Sequence, residues 1–247
     1  MKALILAAGY ATRLYPLTKN LPKPLLEVGG RTILDYLVDQ LEAVPAIERV
    51  FLITNHQFLP FFERWRDARA GTKPVQLIDD GTTCNEDRLG AIGDLTFALK
   101  HADLNDDLLV CAADNILRFP LSEFVSAFQS QPASHLCVHW VEDVQRLRRT
   151  GIAVLNDENR VVEFAEKPSE PKSHWAVPPL YIFLRRTLPR VRAYHAAGGS
   201  PEAPGHFIEW LCRLEPVYAF KITGSVLDIG TPESLEAARE LLGDSGV

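Results

Sequence analysis

Residues 3–9 read Ala3-Leu4-Ile5-Leu6-Ala7-Ala8-Gly9, a short apolar run that stops on small residues and then a glycine. A run of this length and composition, closed by a turn residue, predicts a buried strand. A polar, proline-punctuated segment then carries the chain to Pro24, and helical spacing of apolar residues follows at Ile33, Leu34, Leu37, Val38 and Leu41. The same alternation recurs downstream. Residues 49–54 (RVFLIT) predict a strand and 58–69 a helix; 75–78 (VQLI) predict a strand, and 85–100 a loop turning into a helix that buries Leu95, Ala98 and Leu99. A further strand at 108–112 precedes a helix at 121–128. Strands alternating with helices at this spacing form parallel βαβ units, so the expected fold is α/β with a doubly wound, mostly parallel, Rossmann-like sheet.

Beyond Ser134 the texture changes. Strand-like runs at 136–141, 152–155, 161–164 and 180–184 follow one another without helical spacing between them. A helix at 207–214, a strand at 217–222 and a closing helix at 232–242 complete the chain. This mixed, β-rich part reads as a continuation of the same sheet, so residues 1–247 are expected to form one domain.

The 247 residues are 47% hydrophobic and 23% charged, within the ordinary range of globular proteins. A formal net charge of −6 supplies no basic field and argues against a nucleic-acid partner. Cys84, Cys111, Cys137 and Cys212 form no C-x-x-C pair, and Cys111 and Cys137 lie in apolar runs, which suits a reduced, intracellular protein. No stretch approaches membrane-spanning length, so no membrane partner is expected and the cytoplasm is the default compartment. Homo-oligomerisation is left open.

In open parallel sheets ligands bind beyond the carboxyl ends of the strands. The segment from Leu6 through Ala8, Gly9 and Thr12 to Arg13 occupies such a place. Its small residues let backbone N–H groups approach phosphate oxygens, Thr12 adds a hydroxyl, Arg13 a phosphate-matching fork, and Lys23 in Pro22-Lys23-Pro24 a mobile charge. The spacing matches neither a Walker A loop nor the G-x-G-x-x-G fingerprint, and small residues also serve tight packing alone. Asp114 and Asp228 each close a strand-like run. Two such acids can converge on a hard cation, although strand-end aspartates more often form caps or turns. His135, Cys137 and His139 alternate along one run, but no fourth ligand lies near, so a zinc site is not expected.

Taken together, L-A-A-G-x-x-T-R-L-x-P-L-T from Leu6 to Thr18, P-K-P-L-L from Pro22 to Leu26, and D-I-G-T-P from Asp228 to Pro232 resemble the signatures of the sugar-phosphate nucleotidyltransferase family. The family usually has glycine where this chain has Ala11. The resemblance implies that residues 1–133 bind the nucleoside triphosphate, through Leu6, Ala8, Gly9 and Thr12, with Arg13 and Lys23 as catalytic cations. It implies that Asp114 and Asp228 ligate Mg2+. Asp80 and Gly81 fall where relatives contact the base, and Leu89-Gly90-Ala91-Ile92-Gly93 resembles their L-G-T-A-G stretch, which assigns Gly90 to the nucleotide. Residues 134–247 are then the acceptor half. Arg149-Thr150-Gly151 and Glu166-Lys167-Pro168 resemble the R-x-G and E-K-P motifs, which assigns Gly151, Glu166 and Lys167, the last as a third catalytic cation, to a sugar and its phosphate. Asn115, Val177 and Pro179 join them; relatives usually carry glycine at the last position. Proline there removes a donor and fixes φ, so the acceptor is expected to be a hexose, heptose or cyclitol phosphate other than glucose 1-phosphate. Two other readings stay open: a cytidylyltransferase for a choline-like or phosphonate acceptor, and a non-catalytic regulatory paralogue.

Overall fold

The computed structural model describes residues 1–243. In chain order the elements are β1 (Lys2–Leu6), β2 (Glu27–Val28), β3 (Arg31–Thr32), α1 (Ile33–Glu42), β4 (Arg49–Thr54), α2 (Leu59–Ala68), β5 (Val75–Asp79) and α3 (Ala91–His101). They continue with β6 (Leu108–Ala112), β7 (Asn115–Arg118), α4 (Leu121–Ser130), β8 (Ser134–Trp140), α5 (Val144–Leu147), β9 (Gly151–Leu155), β10 (Val161–Glu166) and β11 (Trp175–Val177). The last are β12 (Leu180–Phe183), α6 (Leu188–Ala196), α7 (Pro204–Leu211), β13 (Val217–Lys221), β14 (Ser225–Asp228) and α8 (Pro232–Gly243).

The main sheet has the order β10-β9-β11-β8-β12-β6-β1-β4-β5, with β13 beside β8. Strands β5, β4, β1 and β6 run parallel, as the βαβ alternation predicts. From β12 outward the pairing is antiparallel except for β13 on β8. The winding reverses between β1 and β6, one side leading through α1 to β4 and the other through α3 to β6. That reversal opens a crevice at the carboxyl ends of the two strands.

Alternation along β1 explains how one strand serves both faces of the sheet. Ala3 and Ile5 pack with Leu34 and Leu37 of α1 and Phe124 of α4, whereas Leu4 packs with Leu95 of α3 and Phe207 of α7. A third, smaller cluster joins Leu14 and Leu26 of the first crossover to Ile116 of β7, Ile229, and Leu235 of α8. It ties the loop after β1 to the far end of the chain. Helix α1 begins where Thr32 and Asp35 form a reciprocal capping box, which satisfies two of the N–H groups that a helix start leaves unpaired.

Several features depart from expectation. Helix α6 stands where no helix is anticipated, and the single turn α5 interrupts the β-rich run. The segment after Asp114 is strand β7, paired antiparallel with β14 in a small separate sheet. Cys111 and Cys137 are buried free thiols, as their apolar settings predict. Among the described residues no helix is long and apolar enough to cross a membrane.

Candidate active site

The two strand-end acids meet. Asp228 faces Asn115 across the β7–β14 ladder, and Ile229 N–H donates to the Asp114 carbonyl at 3.0 Å. Lys23 Nζ reaches Asp114 Oδ2 at 2.7 Å, and Asn115 Nδ2 donates to Asp114 Oδ1 at 2.7 Å. Both Asp114 oxygens are therefore oriented. Lys23 begins a 3-10 turn, Lys23–Leu25, framed by Pro22 and Pro24, and is only 8% exposed. The prolines fix the backbone on either side, so the side chain has little freedom to leave the crevice. Asp228 opens onto the cleft but is closely ringed by protein. That crowding, and then the neighbouring Asp114 charge, raise its carboxyl above the usual range, while Lys23, Arg13 and Arg146 act in the opposite direction.

Arg13, Lys23, Leu6, Gly9 and Asp114 line one cavity of ≈ 230 Å³ at the reversal between β1 and β6. Nothing occupies the position a Cβ would take at Gly9, which leaves its backbone open to the cavity. The loop is pinned from behind. Asn55 Nδ2 donates to the Ala8 carbonyl at 2.9 Å, and Asn55 Oδ1 accepts from Phe58 N–H at 2.9 Å. Asn55 is fully buried and carried no sequence signal beyond following a strand. Ala11, in the family's glycine position, holds φ 48°, the left-handed conformation that glycine adopts without penalty. Ala11 therefore holds this turn at a cost in strain. Thr12 and Arg13 are exposed, and Arg13 has no carboxylate partner among the described residues.

The base-side residues divide. Gly81 has φ 80° with open space above it, so a ligand can approach its backbone. Asp80 is turned inward instead. Its Oδ1 accepts from Thr82 N–H at 2.7 Å and Thr82 Oγ1 at 2.8 Å, and Thr82 Oγ1 lies 3.3 Å from the Tyr10 hydroxyl. Gly90 departs from expectation. A Cβ there would stand 2.6 Å from the Pro201 carbonyl oxygen, and Ala91 and Ile92 N–H donate to the Glu202 and Pro201 carbonyls. The glycine is required by packing against residues 201–202, which also cap α3.

A second cavity of ≈ 200 Å³ adjoins the acids, with Asn115 and Asp228 at one end and Thr150 and Pro179 in its walls. Pro179 spends its carbonyl on Ala112 N–H at 3.0 Å. His139, Arg146 and Arg149 line the same cavity and were not chosen from the sequence. The cluster Arg146, Arg148, Arg149 just before the R-x-G motif was the available signal.

Four acceptor-side residues are placed elsewhere. Val177 is buried in the core and its carbonyl accepts from Thr150 Oγ1 at 3.2 Å. Gly151 is buried because Phe164 and Glu166 fill the space of a Cβ. Glu166 packs on Gly205 at the start of α7, where burial raises its carboxyl against the opposing Lys167 and His206. Lys167 extends beside it, 3.7 Å from Glu166. None of these four residues lines the cavity beside Asp228.

Comparison with known proteins agrees with this fold. The profile of the nucleotidyl transferase family matches residues 2–245. UTP–glucose-1-phosphate uridylyltransferase AglF of Haloferax volcanii is 28% identical over 98% of this chain and 96% of its own. The bifunctional protein GlmU of Methanocaldococcus jannaschii is 27% identical over 98% of this chain but 54% of its own, so the chain spans about half of that relative. Among solved structures, a protein described as a glucose-1-phosphate thymidylyltransferase from Bacillus anthracis, determined with sucrose, superposes with a TM-score of 0.76 at 25% identity, covering 99% of this chain and 96% of that one. An apo UDP-glucose pyrophosphorylase superposes with a TM-score of 0.85 over the full length of both chains, and at 17% identity it speaks for the fold alone. With Arg13, Lys23, Asp114 and Asp228 gathered at the reversal of a matching sheet, and the profile spanning nearly every residue, the chain belongs to the nucleotidyl transferase family.

Proposed function

We propose that this protein transfers a nucleotidyl group from a nucleoside triphosphate to a sugar or cyclitol phosphate and releases pyrophosphate. The observation that carries the reading is the Lys23–Asp114 contact at 2.7 Å with Asp228 paired alongside, at the point where the sheet reverses. The acceptor phosphate oxygen attacks the α-phosphorus in line; a new P–O bond forms as the bond to the bridging oxygen breaks, and pyrophosphate leaves with the electron pair. An ionised phosphate needs no strong base, so catalysis rests on positioning and charge neutralisation. Leu6, Gly9 and Thr12 border the triphosphate, Gly81 lets the base approach, and Arg13 and Lys23 offset phosphate charge. Asp80 contributes by holding Thr82, and through it Tyr10, in place. Ala8 contributes through its carbonyl, anchored by Asn55.

Asp114 and Asp228 suit magnesium. Among the described residues no cluster of three or more His, Cys, Asp or Glu forms a self-sufficient cage. Two carboxylates match an ion that completes its shell with phosphate and water oxygens. When bound, the ion would supply further neutralisation of the phosphates.

The acceptor belongs in the cavity of Asn115, Thr150 and Pro179. Arginines line it and, among its walls, the only carboxylate is Asp228, which disfavours a choline-like cation. AglF makes UTP with glucose 1-phosphate the first pair to test, and Pro179 in place of the family's glycine makes other hexose, heptose and cyclitol phosphates the next. Pyrophosphate release is measured for five nucleoside triphosphates against this panel with magnesium. Acceptor-dependent turnover is expected, abolished in Asp114→Ala and Asp228→Ala; no turnover by folded protein would overturn the reading in favour of a regulatory paralogue.

A further inference from the structure

The cavity beside Asp228 holds two guanidinium groups that the motif assignments leave unused. Arg146 lies in α5 and Arg149 just beyond it, and both line the cavity with Asn115 and Asp228. Neither makes an ion pair or a side-chain hydrogen bond among the described residues, whereas Arg31, Arg66, Arg69, Arg88, Arg190, Arg213 and Arg239 all have carboxylate partners. Unpaired arginines facing a concave site are poised for an anion that takes paired N–H donors, and phosphate fits that geometry. Arg146 is near enough to favour the charged form of Asp228 and to disfavour that of His139. Its charge therefore stands close to Asp228, within the cavity that Asp228 lines. His139, in the same wall, has its Nδ1 buried with no hydrogen-bond partner, and burial, then the Arg146 charge, lower its pKa below the usual histidine range. Lys167, to which the E-K-P motif gives the acceptor phosphate, stands 3.7 Å from Glu166 with its side chain largely exposed.

We propose that Arg146 and Arg149 clamp the phosphate of the acceptor beside Asp228. The proposal rests on the nucleotidyl-transfer reading and sharpens it by naming what binds the acceptor. In steady-state kinetics on the best pair from the panel, Arg146→Gln and Arg149→Gln should each raise the acceptor KM about 10- to 100-fold, the loss of a charged hydrogen bond. The KM for the nucleoside triphosphate should stay within about twofold, Arg146→Lys should recover part of the loss, and Arg148→Gln, outside the cavity, should behave as wild type. Unchanged acceptor KM in both glutamine variants overturns the clamp while leaving nucleotidyl transfer intact. Calorimetric titration with inorganic phosphate gives a test independent of turnover. Wild type should bind more tightly than the double Arg146→Gln/Arg149→Gln variant, and equal binding by the two, or none by wild type, refutes the proposal.

Discussion

Asp94 should be protonated in the folded protein near neutral pH, and Asp94→Asn should change how stability depends on pH. Asp94 sits in the first turns of α3, 6% exposed, in contact with the equally buried Asp80. Asp80 Oδ2 and Asp94 Oδ1 have no donor, a position two buried acids can hold only if one keeps its proton. Burial, and then the Asp80 charge, push the Asp94 carboxyl from 3.8 up to about 8, and no cation opposes them. Asp80 is raised by burial too, though its Thr82 hydrogen bonds hold it down, and Asp79 adds to the negative surroundings. Because the folded pKa is the higher one, the folded state keeps a proton that the unfolded state releases. Stability from this group is therefore complete below pH 4 and declines as pH rises toward 8. The slope is about 1.4 kcal/mol per pH unit for one proton, and the loss across the window is on the order of a few kcal/mol once the two acids relax together. In Asp94→Asn the amide donates to Asp80 at every pH. Urea unfolding of both proteins at pH 5, 6, 7 and 8 should show wild type losing stability relative to the variant at close to that slope. A stability difference that stays constant over the four pH values would mean that Asp94 ionises as an exposed acid does, and would refute the argument.

Lys23→Met should lower kcat by about 100-fold or more, since it removes a charge positioned against Asp114, while circular dichroism reports an unchanged fold. Ala11→Gly should relieve the left-handed strain at φ 48° and raise unfolding free energy by up to about 1 kcal/mol, the gain being reduced by the glycine's greater freedom in the unfolded chain; a lower midpoint in urea would show that Ala11 is not strained.

Some of this was legible locally. The apolar runs of β1, β4 and β6 stand where their composition put them, because a strand buried on both faces in a parallel sheet is a continuous hydrophobic run. Helix α6 was missed although Leu188, Val191 and Tyr194 mark its buried side, because Pro189 reads as a breaker until it is seen in the first turn. Strand β7 was missed because a short strand whose partner lies more than a hundred residues away has no local signature.

The sequence by itself determined the alternating architecture and the residues bearing phosphate and carboxylate chemistry, since periodicity and motif spacing are properties of neighbours along the chain. Only the tertiary structure decided which of them act together. Asp114 and Asp228 are joined by the β7–β14 ladder, Gly90 is claimed by Pro201, Glu166 is drawn to α7, and Arg146 and Arg149 enter the cavity. Each outcome depends on which segment fills a given space, and close packing settles that through contacts distant in sequence.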